Sequence, residues 1–198
     1  MKTLVSWFLA LAILTVPSFA LEQAGAADAP TQVEMAVAIQ NTDEVDLDPF
    51  ILELARIPSP ILHEFQEQGW SIHLDRAYLI DLSGRHGGVC IGATSYKQQR
   101  IYLRASKSLV HEFGHFLDQS LGYPEEVDEL FQNESESAEL LRPYAKSNRW
   151  EYFADCFAFW IQHREDPEML ERFREDMPQT WEYLAALEAS GWVAQKTA

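Results

Sequence analysis

Apolar positions along this chain pass through three regimes. Residues 4–16 are apolar almost without a break. Between residues 71 and 104 the apolar residues come in short runs separated by glycines and polar clusters, the pattern of strands and turns. From residue 109 onward they recur every three or four positions, as in helices with one buried face. Strands are predicted at Ser71-Ile72-His73-Leu74, Ala77-Tyr78-Leu79-Ile80, 89–96 and 100–104, with Lys97-Gln98-Gln99 turning a hairpin between the last two. Helices are predicted over 48–55 and 61–68, the second stopped by Gly69. Further helices open at Pro124, span 137–145, run from an Asn148 cap to about His163, and restart at Pro167 and Pro178. Small strands first and helices afterwards give an α+β class. The strand at 100–104 is a candidate edge on which an extended peptide could add.

The continuous run at 4–16 follows Met1-Lys2 and precedes Pro17-Ser18-Phe19-Ala20, so residues 1–20 read as a secretory signal peptide cut after Ala20. The run is too short for a spanning helix that stays, and no stable membrane insertion is expected once it is removed. Residues 21–46 lack periodicity and aromatics and are expected to be a flexible leader. Residues 47–198 make one domain, expected to be an extracellular monomer. A net charge of −16 over 198 residues argues against nucleic acid and anionic membrane as partners. Two cysteines, Cys90 and Cys156, leave a single disulfide or two buried thiols equally open.

Candidate chemistry sits where the helical regime begins. His111-Glu112-Phe113-Gly114-His115 lies between Ser108-Leu109-Val110 and Phe116-Leu117. Residues four apart lie nearly above one another on a helix, so both imidazoles can hold one ion while Glu112 reaches its water. This is the His-Glu-x-x-His arrangement of zinc hydrolases. The apolar frame buries the helix, which weighs against incidental surface histidines. Gly114 lowers helix propensity and suggests a close neighbour. A catalytic zinc needs a third protein ligand. A histidine six beyond His115 is excluded, because position 121 is Leu121. Glu151 is the better candidate, with Asp155 four later steadying a ligand imidazole, on a helix otherwise crowded with aromatics. A solvated acidic face near the helix start would also account for Glu151. His63, His73 and His86 show no useful spacing and are expected on surfaces or loops, with His163 at a helix end.

Tyr144 stands seven residues before Glu151. The set His111, Glu112, His115, Tyr144, Glu151 and Asp155 resembles the catalytic domain of anthrax lethal factor, and still more the small secreted Pro-Pro endopeptidases. The resemblance covers residues 48–190 and implies a compact zincin-like domain: a small mixed sheet, an active-site helix and a helical C-terminal half. It implies one Zn2+ per chain on His111, His115 and Glu151, with Glu112 as general base and Tyr144 stabilising the transition state. Asp155 stands where the family has a longer acid. The substrate implied is a protein or peptide, proline-rich at family level. Two alternatives compete with this secreted endopeptidase: a zinc-binding or adhesion module without catalysis, and a zinc amidase acting on cell-wall amides.

Overall fold

The computed structural model describes residues 9–14 and 35–193. A five-stranded sheet runs in the order β1-β2-β3-β5-β4, with β1 at Leu9–Leu14, β2 at Met35–Asn41, β3 at Ser71–Leu74, β4 at Gly92–Ser95 and β5 at Arg100–Leu103. The three central strands are mutually parallel and the two outer ones antiparallel to their neighbours. The register sets Ile39 beside Ile72 and Ile72 beside Ile101. Val37, Ile39, Ile72, Leu74, Ile101 and Leu103 therefore share one face, and all are buried.

Helices α2 (Ser59–Glu67) and α4 (Leu109–Ser120) cover that face, and α1 (Asp48–Leu54) packs against α4. Phe65 of α2 lies 4.8 Å from the Phe113 ring and 5.1 Å from Phe116. Each fully buried side chain of this size contributes about 1.5–3 kcal/mol. The opposite face carries His73 and Tyr102 beneath α3 (Arg76–His86), whose Tyr78 ring stacks on Tyr102 at 3.8 Å. Beyond the sheet, α6 (Arg149–His163) runs through the C-terminal half, flanked by α5 (Glu125–Glu134), α7 (Pro167–Asp176) and α8 (Pro178–Ala189).

Two contacts fix α4 against α6. A Cβ on Gly114 would stand 2.7 Å from the Ala154 Cα, so only glycine lets these backbones come so close. One turn on, the buried Arg149 guanidinium forks onto Asp118 with bonds of 2.9 and 3.0 Å. The buried Glu134 carboxylate caps α8, accepting from the backbone N–H of Gln179 at 2.7 Å and of Thr180 at 3.0 Å.

The α+β class and most helices follow the sequence pattern, with four corrections. Residues 77–80 are helical. Asp75 accepts from the Tyr78 N–H at the start of α3 and Gly87 ends it at φ 74, and these caps outweigh the β-prone side chains. Residues 137–145 are not one helix. Arg142 is extended before Pro143, and only a one-turn 3-10 helix, Pro143–Ser147, follows. Strand β5 is internal and β4 is the edge. The flexible leader expected over 21–46 gives way at Met35–Asn41 to β2, whose alternate Val37 and Ile39 are fully buried. Residues 21–34 lie outside the described residues, as does most of the expected signal peptide apart from β1. No helix among the described residues is long and apolar enough to cross a membrane.

Candidate metal centre and cleft

Helix α4 brings His111 and His115 to one side, with ring centroids 4.8 Å apart. Asn148 starts α6 by accepting from the N–H groups of Trp150 and Glu151, which aims Glu151 across at both rings. Glu151 Oε2 lies 3.2 Å from His111 Nε2 and 3.7 Å from His115 Nε2. These spacings approach the edge of a tetrahedron with metal–ligand bonds of about 2.0–2.1 Å, roughly 3.3 Å. The same oxygen is buried and accepts no hydrogen bond. One ligand atom from each of the three residues lies within 4.8 Å of the others, the only such group of three among the described residues. Two imidazoles and a carboxylate are a zinc-type donor set, and a buried oxygen without a donor is what a cation would satisfy. The residues fit the metal.

Around this trio the remaining acids take separate places. Asp155, one turn beyond Glu151, meets His111 Nδ1 at 2.7 Å. The Nδ1–H thus donates to the carboxylate and leaves Nε2 as the ring nitrogen that would take an ion, on the side facing Glu151. Burial pulls the His111 imidazolium down, but Asp155 and Glu151 outweigh it and lift its pKa to about 9. Burial likewise opposes the Glu151 carboxylate, and the two imidazoles nevertheless hold it well below the usual range. Glu112 is buried on the next position of α4. Burial raises its pKa against the pull of both histidines, and Thr94 Oγ1 donates to its Oε2 at 2.7 Å. Tyr144 is exposed at the cleft mouth, and its hydroxyl donates to Glu151 Oε1 at 3.2 Å. Partial burial and the Glu151 charge push the phenol up to about 12.

The structure thus assembles all six residues singled out in the sequence. It leaves the other histidines apart. His63 is exposed beside Glu67 and His163 ends α6 against Phe159. His73, expected on the surface, is buried beneath α3 because it occupies an inner strand, with Ser71 Oγ 3.0 Å from its Nε2. The side chain of His86 lies outside the described residues. Both cysteines are free: Cys156 is buried, and Cys90 is half-buried on the cleft wall.

Sequence reading missed three residues here. Gly92 on β4 admits the Glu112 carboxylate, since a Cβ there would stand 2.4 Å from Oε1. Thr94, two residues on, holds the other oxygen. Arg142 donates from Nε to Asp155 Oδ2 at 2.9 Å and from Nη2 to Oδ1. The glycine inside a strand pattern was the one available signal. The trio lies in a cleft of about 1640 Å3, walled by edge strand β4 and the 88–91 loop on one side and by the 140–151 segment on the other.

A family model described as "Anthrax toxin lethal factor, N- and C-terminal domain" matches residues 84–187, just over half of the chain. No curated protein matches the chain significantly. Among solved structures, the fold is similar to that of the Pro-Pro endopeptidase PPEP-2 from Paenibacillus alvei. The TM-score is 0.60 at 20% identity, covering 75% of this chain and 96% of that one.

Proposed function

Because the chain belongs to the anthrax toxin lethal factor family, we propose that it is an exported zinc-dependent metalloendopeptidase. The observation that carries this reading is the buried, donorless Glu151 Oε2 facing both imidazoles, with Glu112 beside them. His111, His115 and Glu151 would hold the ion, with Asp155 fixing the His111 ring. When bound, zinc supplies Lewis acidity that activates water near neutral pH and polarises the scissile carbonyl.

The chain's own residues supply the remaining chemistry. Glu112 takes the proton of the attacking water and passes it to the leaving amine; the burial that raises its pKa suits it to both transfers. Tyr144, whose raised pKa keeps it a donor at physiological pH, gives a hydrogen bond to the developing oxyanion, a contact of about 3 kcal/mol where such donors have been removed. The free edge of β4 along the cleft suits an extended peptide adding as a further strand. The name of the PPEP-2 neighbour makes Pro-Pro bonds the first substrates to try. Export rests on the pattern of residues 1–20.

The test is a peptide library, Pro-Pro sequences included, exposed to the zinc-loaded protein. Cleavage abolished by a chelator and restored by zinc is expected. Glu112→Ala should bind zinc yet lose hydrolysis by several orders of magnitude. A zinc-loaded chain that cuts no peptide, or a Glu112→Ala variant as active as the parent, overturns the reading.

A further inference from the structure

Arg142 occupies the junction between the metal trio and the segment that carries Tyr144. Its guanidinium forks onto Asp155, with Nε to Oδ2 at 2.9 Å and Nη2 to Oδ1. The same Oδ1 accepts from His111 Nδ1 at 2.7 Å. Arg142 Nη2 itself lies 3.3 Å from that ring nitrogen. Aspartate reaches less far than glutamate, and a fork onto both its oxygens leaves one carboxylate orientation, the one that meets the imidazole. Asp155 is only 6% exposed although Arg142 is 57% exposed, so the pair is shielded on the side facing the ligand.

The backbone makes a second link. Arg142 is extended and leads directly into the one-turn helix Pro143–Ser147, which holds Tyr144. The Arg142 fork ties the entrance of this segment to α6. The Asn148 cap, accepting from Trp150 and Glu151, ties its exit to the same helix. Tyr144 is carried between these two fixed points, one bonded to Asp155 and the other to the backbone of Glu151.

We propose that Arg142 is a positioning residue that, through Asp155, holds His111 in its ligating orientation and at the same time sets Tyr144 over the cleft. This rests on the metal-centre reading above. A surface ion pair of merely structural value would shift the melting temperature slightly and leave metal affinity alone. A ligand-orienting contact of this kind changes metal affinity by about 10–100-fold.

The experiment compares the wild type with Arg142→Gln and Arg142→Lys. Zinc affinity is measured by competition with a chromophoric chelator, melting by circular dichroism, and kcat and KM on a peptide cleaved by the wild type. Arg142→Gln is expected to stay folded, bind zinc about 10–100-fold more weakly and lose kcat more than it gains KM. Arg142→Lys, with the charge but not the fork, is expected to fall between. Zinc affinity and kcat equal to wild type in a folded Arg142→Gln overturn the proposal. Should Arg142→Gln not fold, Arg142→Lys decides: weaker zinc binding at an unchanged melting temperature supports it, and wild-type affinity overturns it. A wild type that takes up no stoichiometric zinc defeats the metal-centre reading and this proposal together. A zinc-bound wild type with unaffected variants defeats this proposal alone.

Discussion

Thr94 and Gly92 hold the two oxygens of Glu112 by opposite means, one with a hydrogen bond and one with empty space. Thr94→Val keeps the shape and removes the donor, leaving a buried carboxylate oxygen short of one partner. It is expected to lower kcat about tenfold, the rate equivalent of one hydrogen bond of about 1–1.5 kcal/mol, while zinc content stays at wild-type level. Gly92→Ala drives a methyl into the carboxylate and should lower activity further at unchanged zinc content. Both variants are read by steady-state kinetics and metal analysis. Neither residue was visible as functional in the sequence, because its partner lies 18 or more positions away and depends on β4 being the edge strand. By contrast, His111, Glu112 and His115 were legible from local spacing alone. Glu151 and Asp155 were legible because acids on an aromatic helix call for partners. Arg142 was hidden inside a stretch whose pattern resembled a helix.

Two glycines show how an element's surroundings decide the sign of one substitution. At Gly84, inside α3, a Cβ would meet nothing within 4 Å, whereas at Gly114, inside α4, it would meet the Ala154 backbone. Alanine at either site gains up to about 1 kcal/mol of helix propensity. Gly84→Ala should therefore stabilise by about that amount. At Gly114 the overpacking penalty, about 1–3 kcal/mol, exceeds the gain, so Gly114→Ala should destabilise. Denaturant midpoints of the two variants check this. The buried Asp118–Arg149 fork gives a larger effect: Asp118→Asn leaves the buried guanidinium with the half-exposed Asp128, 3.2 Å from its Nε, as its remaining carboxylate, and should cost about 3 kcal/mol. The sequence signalled the crowding at Gly114 but not its neighbour, since Ala154 lies about 40 positions away on another helix.

For the whole molecule, two histidines set opposite arms of the stability–pH curve. Burial first, and then Arg100, lower the His73 pKa from 6.5 to about 4. The unfolded chain therefore takes up this proton first on acidification. Its contribution is complete above about pH 6.5 and falls away towards pH 4, by about 3 kcal/mol in all. His111 in the metal-free protein has the reverse sign: with a folded pKa of about 9, its contribution is complete below pH 6.5 and is lost as pH rises through 9. Metal-free protein should accordingly be most stable near pH 6.5. His73→Phe should flatten the acid arm, and zinc, which needs a neutral His111, should flatten the alkaline one. Urea titrations across this range check both arms. Export makes a separate prediction: intact mass of protein recovered from the medium should correspond to a chain starting at Leu21, which leaves β2 as the outer strand of the sheet.

The missing side chain at Gly114 has a mechanical consequence. With the α4 and α6 backbones in direct contact at Ala154, the helices that carry every proposed ligand behave as one solid block, and their separation is set before any ion or peptide arrives. Accommodation of different peptides then falls to the rims of the cleft, residues 88–91 and 140–148. Amide exchange should follow that division, slow along both helices whether or not substrate is bound, and slowed by substrate only along the rims.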